Sequence, residues 1–269
     1  LLALLCSLNS YALTPVADFG FNPGNITMFK YVPSNPQPNA PMVVVLHGCT
    51  QEPENYDDQT HWTTLAEDYQ FYLLFPKTTT ANNYYGCFNW FLPADYKRDQ
   101  GEALSIKNMV NKMKTDHDID GSRIFVTGVS AGASMASDLV LTYPEIFAGA
   151  SVQAGTPGYV ATGMLDGINI FYNHLFIDKT PQQWGDLFRL ANPGYSGQLP
   201  KAVVFYGTDD QKLDPRYGLE IVEQFTNIHG ADQIADEESD FRTSRRFIYH
   251  DNNGQPIVEF FELQGMTHG

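Results

Sequence analysis

The sequence predicts an α/β fold in which a mostly parallel central sheet carries helices on both faces. Residues 42–46 (MVVVL) and 71–75 (FYLLF) are almost continuous apolar runs, as expected of parallel strands that are buried on both faces. Between such runs the spacing of apolar residues changes to a helical period, most clearly over Gly101–Asp116. Strands that alternate with helices are typical of a parallel sheet covered by helices.

Further strands are expected on both sides of these two runs. The remaining apolar runs of strand length lie at residues 124–127, 150–154, 202–206 and 257–263. Residues 26–32 predict an edge strand near the N-terminus. Residues 247–250 and 257–263 flank Asn253-Gly254, a pair that favours the tight turn of a β-hairpin.

The segments between the strands divide into helices and loops. Helical stripes are predicted around residues 62–69 and 219–225, and Gly230 is expected to cap the second helix. Residues 155–200 are long, irregular and rich in Gly, Pro and aromatic residues, which in a compact domain often marks a functional insertion. The acidic residues of segment 236–240 predict a solvated loop. No repeat or linker interrupts the chain, so residues 13–269 predict one domain.

Composition limits the classes of protein that are compatible with this chain. Its 269 residues are 43% hydrophobic and 17% charged, which is typical of an ordered globular protein. The formal net charge is −15. This acidity argues against a nucleic-acid partner, because such binding depends on Lys and Arg side chains that neutralise phosphates.

The N-terminal residues 1–12 are apolar and uncharged, and they end in Ser10-Tyr11-Ala12, with small residues at the positions that a signal peptidase reads. They are too short to span a membrane, which takes about 20 apolar residues, and no other stretch has that length. We interpret them as a signal-peptide remnant and expect a secreted protein, extracellular or periplasmic. Without an initiator Met or a preceding basic stretch, the sequence is expected to be clipped at its N-terminus.

Cysteine usage agrees with export. Removal of the signal would take Cys6 and leave Cys49 and Cys87, and an even pair in an exported protein favours one disulfide. Two buried free thiols are the alternative. No histidine lies near the two cysteines at a zinc-ligand spacing, so no metal site is expected.

The most specific local motif is the pentapeptide of residues 128–132 (GVSAG), which follows a predicted strand and precedes a helical run. This is the context of the G-x-S-x-G nucleophile elbow of α/β-hydrolases. Its glycines permit a tight strand-to-helix turn that exposes the hydroxyl of Ser130. The sequence therefore predicts an α/β-hydrolase with Ser130 as its nucleophile.

A nucleophilic serine needs a base and an acid, which follow it in this chain order on this fold. His268 follows the last predicted strand, so it is the expected base. The acid should follow the strand at residues 202–206, where Asp209, Asp210 and Asp214 are the candidates. The residue pattern alone does not separate these three aspartates.

Two backbone amides are expected to form an oxyanion hole. One belongs to Ala131, directly after the nucleophile, and the other to Cys49, in the loop after strand 42–46. His47 in that loop is expected to shape it and not to act as a base. Asn89, Trp90 and Trp184 are candidate substrate-binding residues, although ordinary core packing is the favoured interpretation for either tryptophan alone.

Several segments together resemble the esterase family named for polyhydroxybutyrate depolymerases, which includes feruloyl and acetylxylan esterases. The similar segments are residues 46–51 (LHGCTQ), 86–91 (GCFNWF), 98–103 (RDQGEA), 126–132 (VTGVSAG), 143–149 (YPEIFAG) and 265–269 (GMTHG). The resemblance implies that Asp210 is the acid and that Cys49 pairs with Cys87. Where the family usually has a histidine before the acid loop, this chain has Tyr206. The resemblance also implies further sequence after Gly269, so a C-terminal truncation is expected.

The expected activity is ester hydrolysis through an acyl-serine, without a metal or an organic cofactor. The leading hypothesis for the substrate is poly(3-hydroxybutyrate) or another short-chain polyester. The alternative substrate is an acylated plant polysaccharide, cleaved by a feruloyl or acetylxylan esterase. A hypothesis of another class is a polymer-binding surface protein without catalysis, and a peptidase or lipase is supported by no segment.

Overall fold

The computed structural model describes residues 12–268. Apart from Ala12, the predicted signal-peptide remnant lies outside the described residues, as does Cys6. The strands are β1 (Thr14–Val16), β2 (Thr27–Tyr31), β3 (Ala40–Leu46), β4 (Tyr72–Lys77), β5 (Ile119–Val129), β6 (Gly149–Gln153), β7 (Lys201–Gly207), β8 (Glu237–Phe241), β9 (Ser244–His250) and β10 (Pro256–Leu263). The helices are α1 (Pro53–Thr60), α2 (Trp62–Tyr69), α3 (Pro93–Tyr96), α4 (Gly101–Asp116), α5 (Ala131–Thr142), α6 (Met164–Tyr172), α7 (Pro181–Ala191) and α8 (Tyr217–Ile228).

The ten described strands form one sheet in the order β1-β2-β4-β3-β5-β6-β7-β10-β9-β8. The six central strands, β4 to β10 in that order, pair in parallel, and antiparallel pairs close both ends. Buried side chains form a core on each face of the sheet, as the apolar runs of the sequence predict. All central strands therefore end at one edge, where the loops that carry function are expected to meet.

Two predictions about the outer strands are wrong. Residues 26–32 were expected at an edge, but β2 pairs with both β1 and β4, and the three-residue strand β1 is the edge. The acidic segment 236–240 was expected to be a loop, but it contributes most of β8. β8 pairs with β9, where Glu238 lies 2.8 Å from Arg245. Charged side chains on an exposed edge strand also discourage pairing with other chains.

The helices agree more closely with the sequence pattern. α4 has the predicted bounds, and α8 is followed by Gly230, whose φ of +70° suits a glycine beyond a helix end. Segment 155–200 is less irregular than expected, since it contains α6 and α7. α7 packs against α8, while α6 lies at the carboxyl edge of the sheet. No helix within residues 12–268 has the length and apolarity that a membrane crossing requires.

Candidate active site

Ser130 lies in a strained turn between β5 and α5. Its backbone has φ +56° and ψ −121°, outside the regions that a non-glycine residue ordinarily adopts. A Cβ on Gly128 would clash with the backbone of Gly132, and a Cβ on Gly132 would clash with that of Leu46. The Ser130 amide donates to the carbonyl of Gln153 at 2.9 Å. Close backbone packing therefore forces the turn and presents the serine hydroxyl at the carboxyl edge of the sheet.

Ser130, His268 and Asp210 form a hydrogen-bonded line. His268 Nε2 lies 2.8 Å from Ser130 Oγ, and His268 Nδ1 lies 2.8 Å from Asp210 Oδ2. Because the carboxylate can only accept, Nδ1 carries the proton and Nε2 accepts from the serine hydroxyl. The loops after β5, β7 and β10 bring these residues together. In the sequence, His268 is 138 positions from Ser130 and 58 positions from Asp210.

The surroundings of Asp210 keep it ionised. Burial of the side chain raises its pKa, but hydrogen bonds from His268 and from the amides of Lys212 and Leu213 outweigh burial and leave the pKa below its ordinary value. The two amides lie 2.8 and 3.0 Å from Oδ1. The neighbouring Asp209 is exposed, and its carboxylate accepts a hydrogen bond from the Thr208 hydroxyl. The hydrogen bond to His268 is made by Asp210 instead.

Asp214, the third candidate for the acid, forms an ion pair with Arg216 at 2.6 Å. Of the three aspartates that the pattern left open, only Asp210 reaches the histidine within the described residues.

The two residues expected to supply an oxyanion hole lie at the same cavity as Ser130. Cys49 and Ala131 both line this cavity, and neither amide donates to an acceptor within residues 12–268. The amide of Ala131 stands at the N-terminus of α5, the positive end of the helix dipole. Amide donors of this kind beside a serine hydroxyl are suited to a developing oxyanion.

The loop that carries Cys49 is held in several ways. A disulfide joins Cys49 to Cys87. The Gly48 amide donates to Gln51 Oε1 at 2.7 Å, and the Thr50 amide donates to the Tyr85 carbonyl at 3.0 Å. These bonds fix the course of the backbone on both sides of Cys49.

His47, just before this loop, is buried. Its Nε2 accepts from the Thr78 amide at 3.2 Å, and burial lowers its pKa. His47 Nδ1 lies 2.7 Å from the Gly48 carbonyl oxygen, so both ring nitrogens bond to backbone and, within residues 12–268, neither bonds to an acid. The residue is therefore part of the support of the loop.

The cavity above Ser130 has a volume of about 690 Å³. Its walls are formed by residues 82–92 on one side and by α6 on the other. Asn89 and Trp90, two of the candidate substrate-binding residues, line it. The substrate-binding role considered for Trp184 is wrong and core packing is confirmed, because this side chain is fully buried between α7 and α8, where its Nε1 donates to Glu220.

Sequence reasoning missed one buried carboxyl that supports the cavity wall. Glu102 is inaccessible to solvent; its side chain accepts from the Asn82 side chain and, at 2.8 Å, from the Asn89 amide. Burial raises its pKa well above the ordinary value, and the nearby Asp95 raises it further. The sequence did contain a signal for its burial. Glu102 stands four residues before Ile106 and therefore lies on the apolar face of α4.

Sequence reasoning also missed the role of α6 as a cavity wall. Met164, Ile168, Phe171 and Tyr172 line the cavity from this helix. The aromatic content of segment 155–200 pointed to function there, but not to particular side chains.

Within residues 12–268, no three His, Cys, Asp or Glu side chains are grouped so that they could hold a metal ion.

Comparison with solved structures defines the class of protein. The acetyl xylan esterase from Aspergillus awamori superimposes with a TM-score of 0.86 at 28% identity, and the match covers 96% of this chain and 94% of that one. This chain therefore has the α/β-hydrolase fold of esterases, with Ser130 at the strand-to-helix turn after β5.

The family is shown by the sequence match. Residues 28–170 match the model of the Esterase PHB depolymerase family, and the chain belongs to this family. It is 46% identical over 263 residues to poly(3-hydroxyalkanoate) depolymerase C of Paucimonas lemoignei, across 98% of this chain and 63% of that protein. The chain thus spans less than two thirds of that relative. It is 33% identical over 225 residues to feruloyl esterase B of Thermothelomyces thermophilus, across 82% of this chain and 76% of that protein.

Proposed function

We propose that this protein is a secreted serine carboxylic-ester hydrolase that cleaves poly(3-hydroxybutyrate) or a related short-chain polyester. The observation that carries the proposal is the hydrogen-bonded line from Ser130 through His268 to Asp210 at the base of an open cavity. A nucleophile in contact with a base, which is in turn oriented by a carboxylate, is the arrangement that acyl transfer to serine requires.

The proposed reaction proceeds in two steps. Ser130 Oγ attacks the ester carbonyl carbon while His268 Nε2 takes its proton, and Asp210 stabilises the imidazolium. The amides of Cys49 and Ala131 donate to the carbonyl oxygen as it becomes an oxyanion. The intermediate then collapses, the alcohol leaves with the proton from His268, and the acyl group remains on Ser130. Water, deprotonated by His268, releases the acyl group as a carboxylic acid and restores the serine.

The cavity lining supports a polyester as the substrate. Phe91, Ile168 and Phe171 present apolar surface that suits the methyl and methylene groups of a hydroxyalkanoate. The greater identity to the depolymerase relative favours the same substrate class. An acylated plant polysaccharide is the second candidate, which the close superposition on an acetyl xylan esterase favours.

Export is part of the proposal. The disulfide between Cys49 and Cys87 supports it, because such bonds persist mainly in oxidising compartments. We infer an extracellular or periplasmic location, where a polymer too large to enter a cell would be encountered.

Assays with p-nitrophenyl esters, poly(3-hydroxybutyrate) granules, acetylated xylan and methyl ferulate test the function. We expect hydrolysis of short-chain p-nitrophenyl esters and clearing of the polyester granules, with Ser130→Ala inactive on both. Hydrolysis of acetylated xylan or methyl ferulate without granule clearing would support the second candidate. A lack of esterase activity on every substrate would support a non-catalytic binding protein.

A further inference from the structure

Lys212 brings a positive charge to a cavity that is otherwise built from uncharged side chains. It lines the cavity above Ser130, where none of the lining residues within 12–268 is acidic and His268 is the only other basic one. The chain carries a net charge of −15, so cations are scarce in it. An ammonium group gains nothing from an apolar wall, and the packing of the cavity therefore does not explain a lysine at this position.

The ammonium group of Lys212 has no protein partner within residues 12–268. Most Lys and Arg side chains of the chain form ion pairs with acids, but Lys212 forms none. Asp214, two residues away, pairs with Arg216 at 2.6 Å, and the exposed Asp209 accepts from Thr208. Because Lys212 is exposed, its Nζ can meet an anion that enters the cavity.

The backbone of Lys212 is fixed relative to the catalytic histidine. The Lys212 amide donates to Asp210 Oδ1 at 2.8 Å, and Oδ2 of the same carboxylate lies 2.8 Å from His268 Nδ1. The next residue, Leu213, donates its amide to Asp210 Oδ1 at 3.0 Å and buries its side chain. Only the long side chain of Lys212 is therefore free to adjust to a ligand.

This placement puts Lys212 on the side of the cavity that the leaving alcohol occupies. In the proposed reaction the oxyanion faces the amides of Cys49 and Ala131, whereas His268 gives its proton to the alcohol oxygen. The alcohol portion must therefore lie on the His268 side. Lys212 is joined to His268 through Asp210, so the alcohol portion is expected to extend toward the ammonium group.

A polyester of hydroxy acids carries an anion on its alcohol side only at one chain end. When the ester nearest that end is cleaved, the leaving alcohol is the terminal hydroxy acid with its free carboxylate. In 3-hydroxybutyrate a single methylene separates this carboxylate from the carbon that bears the alcohol oxygen. The flexible four-carbon side chain of a lysine suits a charge so close to the reacting oxygen. An internal ester presents no anion there.

We propose that Lys212 binds the terminal carboxylate of a hydroxyalkanoate chain and so favours cleavage of the ester next to that end. The inference rests on the proposed function and makes it more specific, since soluble oligomers with a free acid become preferred substrates. An acidic sugar of an acylated polysaccharide would offer the same carboxylate chemistry, and the experiment below separates the two sources.

The simplest test compares 3-acetoxybutyrate with its methyl ester, two substrates that differ in charge at the position of interest. The ratio of their kcat/KM values is measured for the unaltered chain, Lys212→Met and Lys212→Arg. Lys201→Met is the matched control, because Lys201 is also exposed and forms no ion pair within residues 12–268. Lys201 begins β7 and Lys212 follows its end, so the strand length of about 20 Å separates them.

We expect the unaltered chain to prefer the free acid. Lys212→Met should lower the ratio of acid to methyl ester by about five-fold, the scale of an ion pair that stays partly open to solvent. Lys212→Arg should restore most of the ratio, because a guanidinium also pairs with a carboxylate, and Lys201→Met should leave it unchanged. Added sodium chloride should reduce the preference of the unaltered chain, since salt screens such pairs.

The other outcomes are equally decisive. An unchanged ratio in Lys212→Met, even with lower activity on both substrates, would give the lysine a structural role and overturn the inference. An equal fall in Lys201→Met would assign the preference to net charge. A Lys212-dependent preference for acetylated xylan over the same xylan after reduction of its carboxyl groups, without an effect on 3-acetoxybutyrate, would assign the lysine to an acidic sugar. Failure to clear polyester granules with the Lys212-dependent ratio intact would refute the proposed function and leave carboxylate binding supported.

Discussion

The strand-to-helix turn of residues 128–132 and the helix α6 border the same cavity but are built differently. Around Ser130 the backbone is packed so closely that neither Gly128 nor Gly132 has room for a Cβ. On α6, by contrast, four large apolar side chains are exposed to solvent, namely Met164, Leu165, Ile168 and Tyr172. We infer that backbone geometry holds the proposed nucleophile in place, and that the exposed side chains of α6 influence which substrate fits the cavity. Changes at the first region should abolish turnover, and changes at the second should alter preference.

The largest effect is expected at the nucleophile. Ser130→Ala should fold normally and lose esterase activity on p-nitrophenyl butyrate by about 10⁶-fold in kcat, the scale seen when a triad nucleophile is removed. The far-ultraviolet circular dichroism and the melting temperature provide the folding control. A folded variant with near-normal turnover would mean that another residue attacks the ester.

The two neighbouring aspartates should differ sharply. Asp210→Asn is expected to lower kcat by about 10⁴-fold, because the amide favours the wrong tautomer of His268 and no longer stabilises the imidazolium. Asp209→Asn is the matched control, since that side chain is exposed and does not contact His268. If Asp209→Asn were the more damaging change, the assignment of the acid would be wrong.

The disulfide should contribute to both stability and turnover. Its 38-residue separation corresponds to about 3–4 kcal/mol of unfolding free energy in the chain-entropy description. Cys87→Ser, or reduction of the unaltered protein, should lower the melting temperature. It should also lower kcat several-fold, because the bond holds the Cys49 amide at the cavity. Denaturant unfolding and steady-state kinetics measure the two effects. A loss of stability with unchanged kcat would show that the disulfide has no role in catalysis.

The smallest effect is expected at Glu102, behind the cavity wall. Its raised pKa means that the folded chain keeps a proton that the unfolded chain releases, so stability falls as pH rises above the ordinary glutamic acid pKa of 4.5. Glu102→Gln mimics the protonated acid and should flatten this decline. The free energy of unfolding in urea, measured at pH 5 and pH 8, tests this expectation. Glu237→Gln, at an exposed position, is the control. An equal decline in both variants would show that Glu102 is not the group that titrates.

Sequence alone predicts the central region of this molecule well. A parallel strand such as β3 is buried on both faces, so its apolar run is unmistakable, and the order of serine, acid and base along the chain follows from the fold. The choice of Asp210 over Asp209 needed a family resemblance. Both aspartates follow the same strand, and only the folded loop shows which one turns toward His268.

The remaining features depend on contacts that no local pattern records. β8 lacks an apolar alternation because it is exposed, and only its pairing with Arg245 and Arg246 on β9 identifies it as a strand. Trp184 stayed a candidate for substrate binding beside core packing because an aromatic residue in an insertion looks the same in sequence whether it lines a cavity or fills a core. Its burial beside Glu220 is decided by the packing of α7 on α8.

The central claim is that Ser130 forms the covalent bond with the substrate. The most direct test is to incubate the protein with a p-nitrophenyl phosphonate and to locate the adduct by intact mass and peptide mapping. We expect a single adduct on Ser130, loss of esterase activity in step with labelling, and much slower labelling of His268→Ala. An adduct on another residue, or full esterase activity in a chain labelled at Ser130, would contradict it.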